Sequence, residues 1–217
     1  MADIFHEVDE EVRRERLQKL WERYSIYIIA VAVLIVAGIG GWRGYQWWEA
    51  KKAAEAGAAF EAAVTLSEQG KHAEAEAAFA KVAAQAPSGY RALARLRAAA
   101  ELAATDPKQA VKAYDELAGD GSLGETMQDL AAVRAGLLLV DSAALSQMRQ
   151  RLEPLTAPGR TFRHTARELL ALSAWRSGDV TTAKHFIDMI AADGETPAGT
   201  RARIDVLSAL LAASGKG

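Results

Sequence analysis

The sequence contains no cysteine, and this absence excludes disulfide bonds, thiolate metal sites and a cysteine nucleophile. It also lacks a marked excess of charge, since 26 basic and 28 acidic residues give a formal net charge of −2. Because there is no basic field, we predict no binding to nucleic acid. The chain is long enough for an N-terminal segment and one domain of about 170 residues, which can bury a sizeable core.

Patterns typical of catalytic and metal sites are missing as well. The glycine-rich residues 119–124 lack the lysine of a P-loop and the pattern of a nucleophile elbow. No histidine is followed four residues later by another with a glutamate between them, so the zincin pattern is absent. We therefore predict no cofactor, no metal and no enzymatic activity, with an enzyme of unknown type as a distant alternative. The histidines are expected on the surface or in packing contacts: His6, His72, His164 and His185.

Charge is absent from residues 24–42, between Arg23 and Arg43. About 19 residues at about 1.5 Å of rise reach about 28 Å, close to the thickness of the hydrocarbon layer of a bilayer. We predict a transmembrane helix here, because a buried helix of a soluble domain rarely lacks every charge for so long and a cleaved signal peptide is shorter. Aromatic residues form predicted interfacial belts at its two ends: Trp21, Tyr24 and Tyr27 at the first, and Trp42, Tyr45, Trp47 and Trp48 at the second.

Basic residues near this span indicate its orientation, because cytoplasmic flanks carry the excess of lysine and arginine. Five basic residues precede the span and three follow it closely. We predict a cytoplasmic amphipathic arm over residues 1–23, a juxtamembrane helical linker over 43–55, and a domain outside the cytoplasm over 56–217. The arm is either a docking segment for a partner or a solvated flank that only sets the topology.

Small residues cluster toward the outer end of the span. Ala37 and Gly41 form one small-xxx-small pair, and Gly40 and Gly44 form a second. Such pairs lie on one helix face and allow another helix to approach closely. The pattern predicts a lateral partner in the membrane, although small residues are common in transmembrane helices in any case.

The rest of the chain lacks the period-two alternation of strands and is rich in alanine, the strongest helix former. Residues 56–89 follow the intervals of a tetratricopeptide repeat, in which small residues let two helices approach and an aromatic residue fills the gap beside them. Further copies follow at about 34-residue spacing, and the third, over about 124–153, lacks the signature residues. The predicted signature residues are Ala63, Leu66, Gly70, Ala75, Phe79 and Pro87, then Ala110 and Tyr114, then Ala171, Gly178 and Ala183.

These patterns predict an all-α chain, in which a single transmembrane helix precedes a tetratricopeptide-like α-solenoid of about four helix pairs plus a C-terminal closing helix. The closing helix is expected over about 197–213, and its expected packing residues are Ile204, Val206, Leu207, Leu210 and Leu211. Such a stack has a groove that generally holds peptides or helices. Six arginines either line that groove or form a charged helix face: Arg91, Arg95, Arg97, Arg160, Arg163 and Arg167.

Three stretches carry a family resemblance: LWERYS at residues 20–25, GWRGYQWW at 41–48 and AAFEAAV at 58–64. With the architecture around them, they resemble the ancillary subunit of the bacterial SecYEG translocon, an inner-membrane protein with a periplasmic tetratricopeptide-like domain. The resemblance implies a non-enzymatic, single-pass protein with a cytoplasmic N-terminus. The implied partners are Sec translocon subunits, exported polypeptides and periplasmic chaperones. A periplasmic scaffold for envelope assembly or cell division is the alternative, and the oligomeric state is left open.

Overall fold

A computed structural model describes the backbone of residues 3–214 and the side chains of residues 21–87 and 89–213. These residues form α-helices, two short 3-10 helices and no strand. The predicted fold class is therefore confirmed. One long apolar N-terminal helix also supplies, with its C-terminal part, the first helix of four helix pairs, and a closing helix follows them. The α-helices are α1 Asp3–Glu68, α2 His72–Gln85, α3 Ser88–Thr105, α4 Pro107–Ala118, α5 Glu125–Leu139, α6 Leu145–Leu152, α7 Arg163–Arg176, α8 Val180–Ala192 and α9 Ala198–Ser214.

Helix α1 is 66 residues long and has no interruption. The chain divides into two units, Met1–Ala54 and Glu55–Gly217, and the division falls within this helix. The predicted ends of the arm, the span and the linker also lie inside α1, so none of them coincides with a break in the helix. In the described part of the chain, the stretch Trp21–Glu68 is long and apolar enough to cross a membrane, and it could serve as an anchor.

Glycine, proline and aspartate separate the helices of the second unit. Gly70 and Gly178 adopt positive φ angles of 73° and 77° in the turns after α1 and α7, a conformation that costs glycine little. Asp106 caps α4 by accepting hydrogen bonds from the backbone N–H groups of Lys108 and Gln109, and Pro107 occupies the first helical position. These residues account for the ends of α1 and α7 and for the start of α4.

The third helix pair, α5 and α6, contains a small residue that the repeat signature does not identify. Gly136 is buried, and a Cβ atom at this position would lie 3.0 Å from Cδ1 of Leu152 and 3.4 Å from Cδ1 of Leu169. Helix α6 and helix α7 therefore both approach α5 at this glycine. Glycine is smaller than the alanine of the signature and takes its place at this contact, so the two helices can still approach closely.

The closing helix α9 buries one of its apolar faces and exposes another. Ile204, Leu207 and Leu211 are buried in the core formed with α7 and α8. The expectation that Val206 and Leu210 also pack in the stack is wrong, because they are 61% and 46% exposed. They lie four residues apart on one helix face, and α9 is the last helix among the described residues.

Candidate protein-interaction surface

The predicted signature residues lie in the contacts between paired helices. Phe79 of α2 is fully buried and meets Phe60 of α1 edge to face, with ring centroids 5.1 Å apart. Pro87 immediately precedes α3 as its N-cap residue, and Leu66 is half-buried against the first pair. The structure buries all the remaining non-glycine members: Ala63, Ala75, Ala110, Tyr114, Ala171 and Ala183.

The small residues of the predicted membrane helix lie on an open surface. Ala37, Gly40, Gly41 and Gly44 are exposed on α1. A Cβ atom added at any of the three glycines would meet no atom within 4 Å. The surface therefore has room for another helix, and the lateral partner itself stays a prediction.

Two grooves in the second unit are candidate protein-binding surfaces. The α4–α6 groove has a volume of about 930 Å³, and it is lined by α4, α5 and α6 together with Leu155 and Arg160. Its lining combines apolar residues such as Val111 and Ala132 with the amides of Gln128, Gln147 and Gln150. Side-chain amides both donate and accept hydrogen bonds, so this groove suits a polypeptide backbone.

The α3–α5 groove is smaller, at about 280 Å³. Leucines from α3 and α5 form its apolar part together with Tyr114 of α4, and two arginines complete the lining. The residues that line it are Leu93, Leu96, Arg97, Ala100, Tyr114, Leu130 and Arg134.

Comparison with known proteins agrees with this architecture. Residues 18–188 match the family described as tetratricopeptide repeat-like domain. The chain belongs to this family. No curated protein and no solved structure matches the chain. Tetratricopeptide-like domains generally mediate contacts between proteins and are typically non-enzymatic scaffolds.

Polar contacts connect neighbouring helices of successive repeats in the tetratricopeptide-like domain. The two residues of each contact lie about one repeat length apart in the sequence. Arg151 of α6 donates two hydrogen bonds to the carboxylate of Asp115 in α4, at 3.0 and 2.7 Å. Arg203 of α9 does the same to Glu168 of α7, at 2.5 and 2.8 Å. The bonded residues are 36 and 35 positions apart. Opposite charges separated by one repeat are therefore a signal that sequence reasoning missed.

The six arginines considered for the groove are mostly engaged within the domain. Arg95 forms an ion pair with Asp120 at 2.5 Å. Arg160 pairs with both Glu125 and Asp129. Ten arginines of residues 55–213 donate to a protein acceptor: Arg91, Arg95, Arg149, Arg151, Arg160, Arg163, Arg167, Arg176, Arg201 and Arg203.

Arg167 is the most deeply buried of these arginines, with its side chain 4% exposed. Its Nε and Nη2 donate to the carbonyl oxygen of Thr156 at 3.0 and 2.7 Å. Its Nη1 donates to the carbonyl oxygen of Met189 and to Asp193, at 3.3 and 2.9 Å. Asp193 also accepts from Arg163 at 2.8 Å, and these hydrogen bonds, that of Arg163 foremost, hold the pKa of the Asp193 carboxyl well below its usual range.

His164 is buried beside this cluster. The hydroxyl of Thr196 donates to the carbonyl oxygen of Ile190 at 2.8 Å, and its oxygen lies 3.2 Å from Nδ1 of His164. Since the hydroxyl has only one hydrogen, Nδ1 carries a hydrogen that the Thr196 oxygen accepts. Burial, and next the charge of Arg163, lower the pKa of His164 from its ordinary value of 6.5. The carboxylate of Asp193 opposes this shift from 3.8 Å away.

The lowered pKa of His164 makes the stability of the domain sensitive to mild acid. The unfolded chain takes up a proton at this ring as the pH falls through 6.5, whereas the folded ring does so only at lower pH. The free energy of unfolding therefore falls in the window that begins at pH 6.5 and extends down to the folded pKa. Replacing His164 with glutamine should flatten this part of the pH profile, measured by denaturant unfolding at a series of pH values.

The exposed His185 of α8 provides the matched control. His185→Gln should leave the pH profile close to that of the native chain. An unchanged slope in His164→Gln, or an equal flattening in His185→Gln, would contradict the assignment of the acid sensitivity to the buried ring.

Proposed function

We propose that this chain is a single-pass protein of the bacterial inner membrane that presents a non-enzymatic protein-interaction module beside the Sec translocon. Its N-terminus lies in the cytoplasm, residues 24–42 cross the membrane, and the repeat domain lies in the periplasm. There the domain contacts exported polypeptides or periplasmic chaperones. The observation that carries the proposal is an exposed apolar helix in the same chain as a tetratricopeptide-like domain.

The exposure of α1 supports the membrane part of the proposal. Ile26, Leu34 and Val36 are 71%, 70% and 70% exposed, and contiguous apolar surface of this extent marks a membrane or a protein contact. Just beyond the second end of the predicted span, Lys51 and Lys52 lie over the rings of Trp47 and Trp48, at 5.7 and 3.7 Å from the ring centroids. Tryptophan and lysine together are typical of the membrane–water interface, where the rings stay at headgroup depth and the ammonium groups reach water.

The interaction part rests on the repeat fold, the grooves and the family resemblance. A groove tethered to the membrane meets a polypeptide leaving a neighbouring channel at a high effective concentration. Weak contacts, such as those that the amides of the α4–α6 groove offer to a backbone, are then sufficient. This suits a module that releases its ligand again.

Affinity purification from gently solubilised membranes tests the proposal. A C-terminal tag on the native chain should retain channel subunits and periplasmic chaperones. A chain in which an unrelated transmembrane helix replaces residues 24–42 should lose the channel subunits, because the contact in the membrane is removed. Replacing both Gly40 and Gly44 with leucine should remove most of the channel as well, because the bulkier residues keep a partner helix away.

The matched control is Gly38→Leu, which adds the same side chain on a different face of the helix and should leave retention unchanged. If both anchors retain proteins of envelope assembly or division instead of channel subunits, the span is only a tether and the scaffold alternative is correct. Full retention of the channel by the exchanged anchor would also contradict the proposal.

A further inference from the structure

Two arginines of the repeat domain differ from the other ten in having no acceptor in the described part of the chain. Among the described residues, neither Arg97 of α3 nor Arg134 of α5 forms a hydrogen bond or an ion pair. Both are exposed, and both line the α3–α5 groove. Two cations without partners among the described residues thus line one groove, whereas each of the other ten arginines of the domain donates to a protein acceptor.

The surroundings explain why these cations stay unpaired. Glu101 follows Arg97 by one helical turn, a spacing that favours an ion pair. However, its Oε1 accepts from Ser67 at 2.6 Å, and its Oε2 lies 2.7 Å from Nδ1 of His72. Arg134 has only apolar residues at three and four positions on either side. Both guanidinium groups are consequently available to an external acceptor.

The groove that the two cations line also has an apolar surface. Leu93 is 46% exposed although it lies in a groove, and Leu96, Leu130 and the buried Tyr114 continue the surface. Burial raises the pKa of the Tyr114 hydroxyl, and the charges of Arg134 and Arg97 both oppose the rise. The positive charges of two different helices therefore act on the same small volume.

We infer that the α3–α5 groove binds an acidic, apolar segment of a partner protein. One apolar side chain rests on Leu93, Leu96 and Leu130, and carboxylates on either side of it accept hydrogen bonds from Arg97 and Arg134. The volume of about 280 Å³ is below that of a site for a whole small molecule, so the groove accommodates side chains. Guanidinium groups match carboxylates in geometry as well as in charge. This assignment rests on the proposed function only in that the segment belongs to a protein partner.

The test uses the full-length chain in detergent micelles and a fluorescent synthetic peptide in which single leucines alternate with glutamates. Fluorescence anisotropy should detect binding that weakens with added salt. Arg97→Gln and Arg134→Gln should each weaken it by roughly three- to tenfold, as expected for charge-assisted hydrogen bonds at a partly exposed site. Leu93→Gln should weaken it as well, through the loss of apolar contact.

Arg149→Gln is the matched control, because it removes the same charge from an exposed arginine outside the groove. It should leave the affinity unchanged. A peptide with lysine in place of glutamate should not bind. Equal affinity of the native chain and both groove variants would overturn the assignment, because the peptide would not use this groove. An equal loss of affinity in Arg149→Gln would overturn it too, because net charge alone would explain the binding. Heparin is tested as a second ligand, and an equal loss of heparin binding in the groove variants would show a general polyanion site instead.

The outcome is independent of the membrane experiment. Peptide binding that depends on Arg97 and Arg134, in a chain that retains no channel subunits, overturns the proposed function and supports the groove. Retention of channel subunits by a chain that does not bind the peptide overturns the groove assignment alone.

Discussion

Replacing Phe79 with alanine is expected to lower the free energy of unfolding of the repeat domain by about 3–5 kcal/mol. The side chain is fully buried between the first two helix pairs and packs edge to face on Phe60. Its neighbours in this core are largely alanines, including Ala63, Ala75 and Ala94. Because alanine has no side-chain torsion with which to fill a gap, the cavity stays open, and the loss should fall in the upper part of that range.

Denaturant unfolding of the full-length chain in detergent, followed by far-ultraviolet circular dichroism, measures this change. Val206→Ala is the matched control because Val206 is 61% exposed on α9, and its effect should stay within about 0.5–1 kcal/mol. A loss for Phe79→Ala that is no larger than that of Val206→Ala would show that the first pair is held together without this ring.

Replacing Arg167 with glutamine is expected to destabilise the last helix pair by about 3 kcal/mol, because acceptors around the buried arginine lose their donors. The carbonyl oxygen of Thr156 loses both of its hydrogen bonds from Arg167, and that of Met189 loses one. Asp193 keeps Arg163 as a partner. The same denaturant experiment measures the effect.

Two further variants separate charge from geometry at this site. Arg167→Lys keeps the charge but has its donors on a single nitrogen, whereas the guanidinium group donates to Thr156 from Nε and Nη2 and to Met189 from Nη1. We therefore expect it to lose most of the same stability. Arg149→Gln breaks an exposed pair with Glu153 and should have little effect. Native stability in Arg167→Lys would mean that positive charge alone is sufficient there.

The helical repeats could be predicted because small residues, turn glycines and aromatics recur at fixed intervals. Ala63, Ala171 and Ala183, together with the turns at Gly70 and Gly178, identify the first and last pairs from spacing alone. The third pair could not be recognised in this way. Its small residue, Gly136, reads in sequence as a weak point of a helix, and only the closeness of Leu152 and Leu169 shows why a glycine is needed.

Side-chain pairing and side-chain exposure were harder to predict, because they depend on how each helix is rotated about its own axis relative to its neighbours. The apolar residues of α9 were expected to pack, yet Val206 and Leu210 point away from the core because no later described helix covers that face. For the same reason, sequence alone grouped Arg97 with Arg95. The structure separates them, since Arg95 forms an ion pair with Asp120, whereas Arg97 has no acceptor among the residues whose side chains are described.

The reach of the polar contacts bears on how the domain acquires its structure. In the described part of the chain, the side-chain hydrogen bonds join residues at most 36 positions apart. The side chains of each helix pair thus form hydrogen bonds with the pair that precedes it in the sequence. The first pairs need no hydrogen bond from the C-terminal helices. Short-range topologies of this kind fold quickly. A chain that emerges N-terminus first from a ribosome or a channel can therefore fold one pair at a time, with little unfinished surface exposed to aggregation during synthesis.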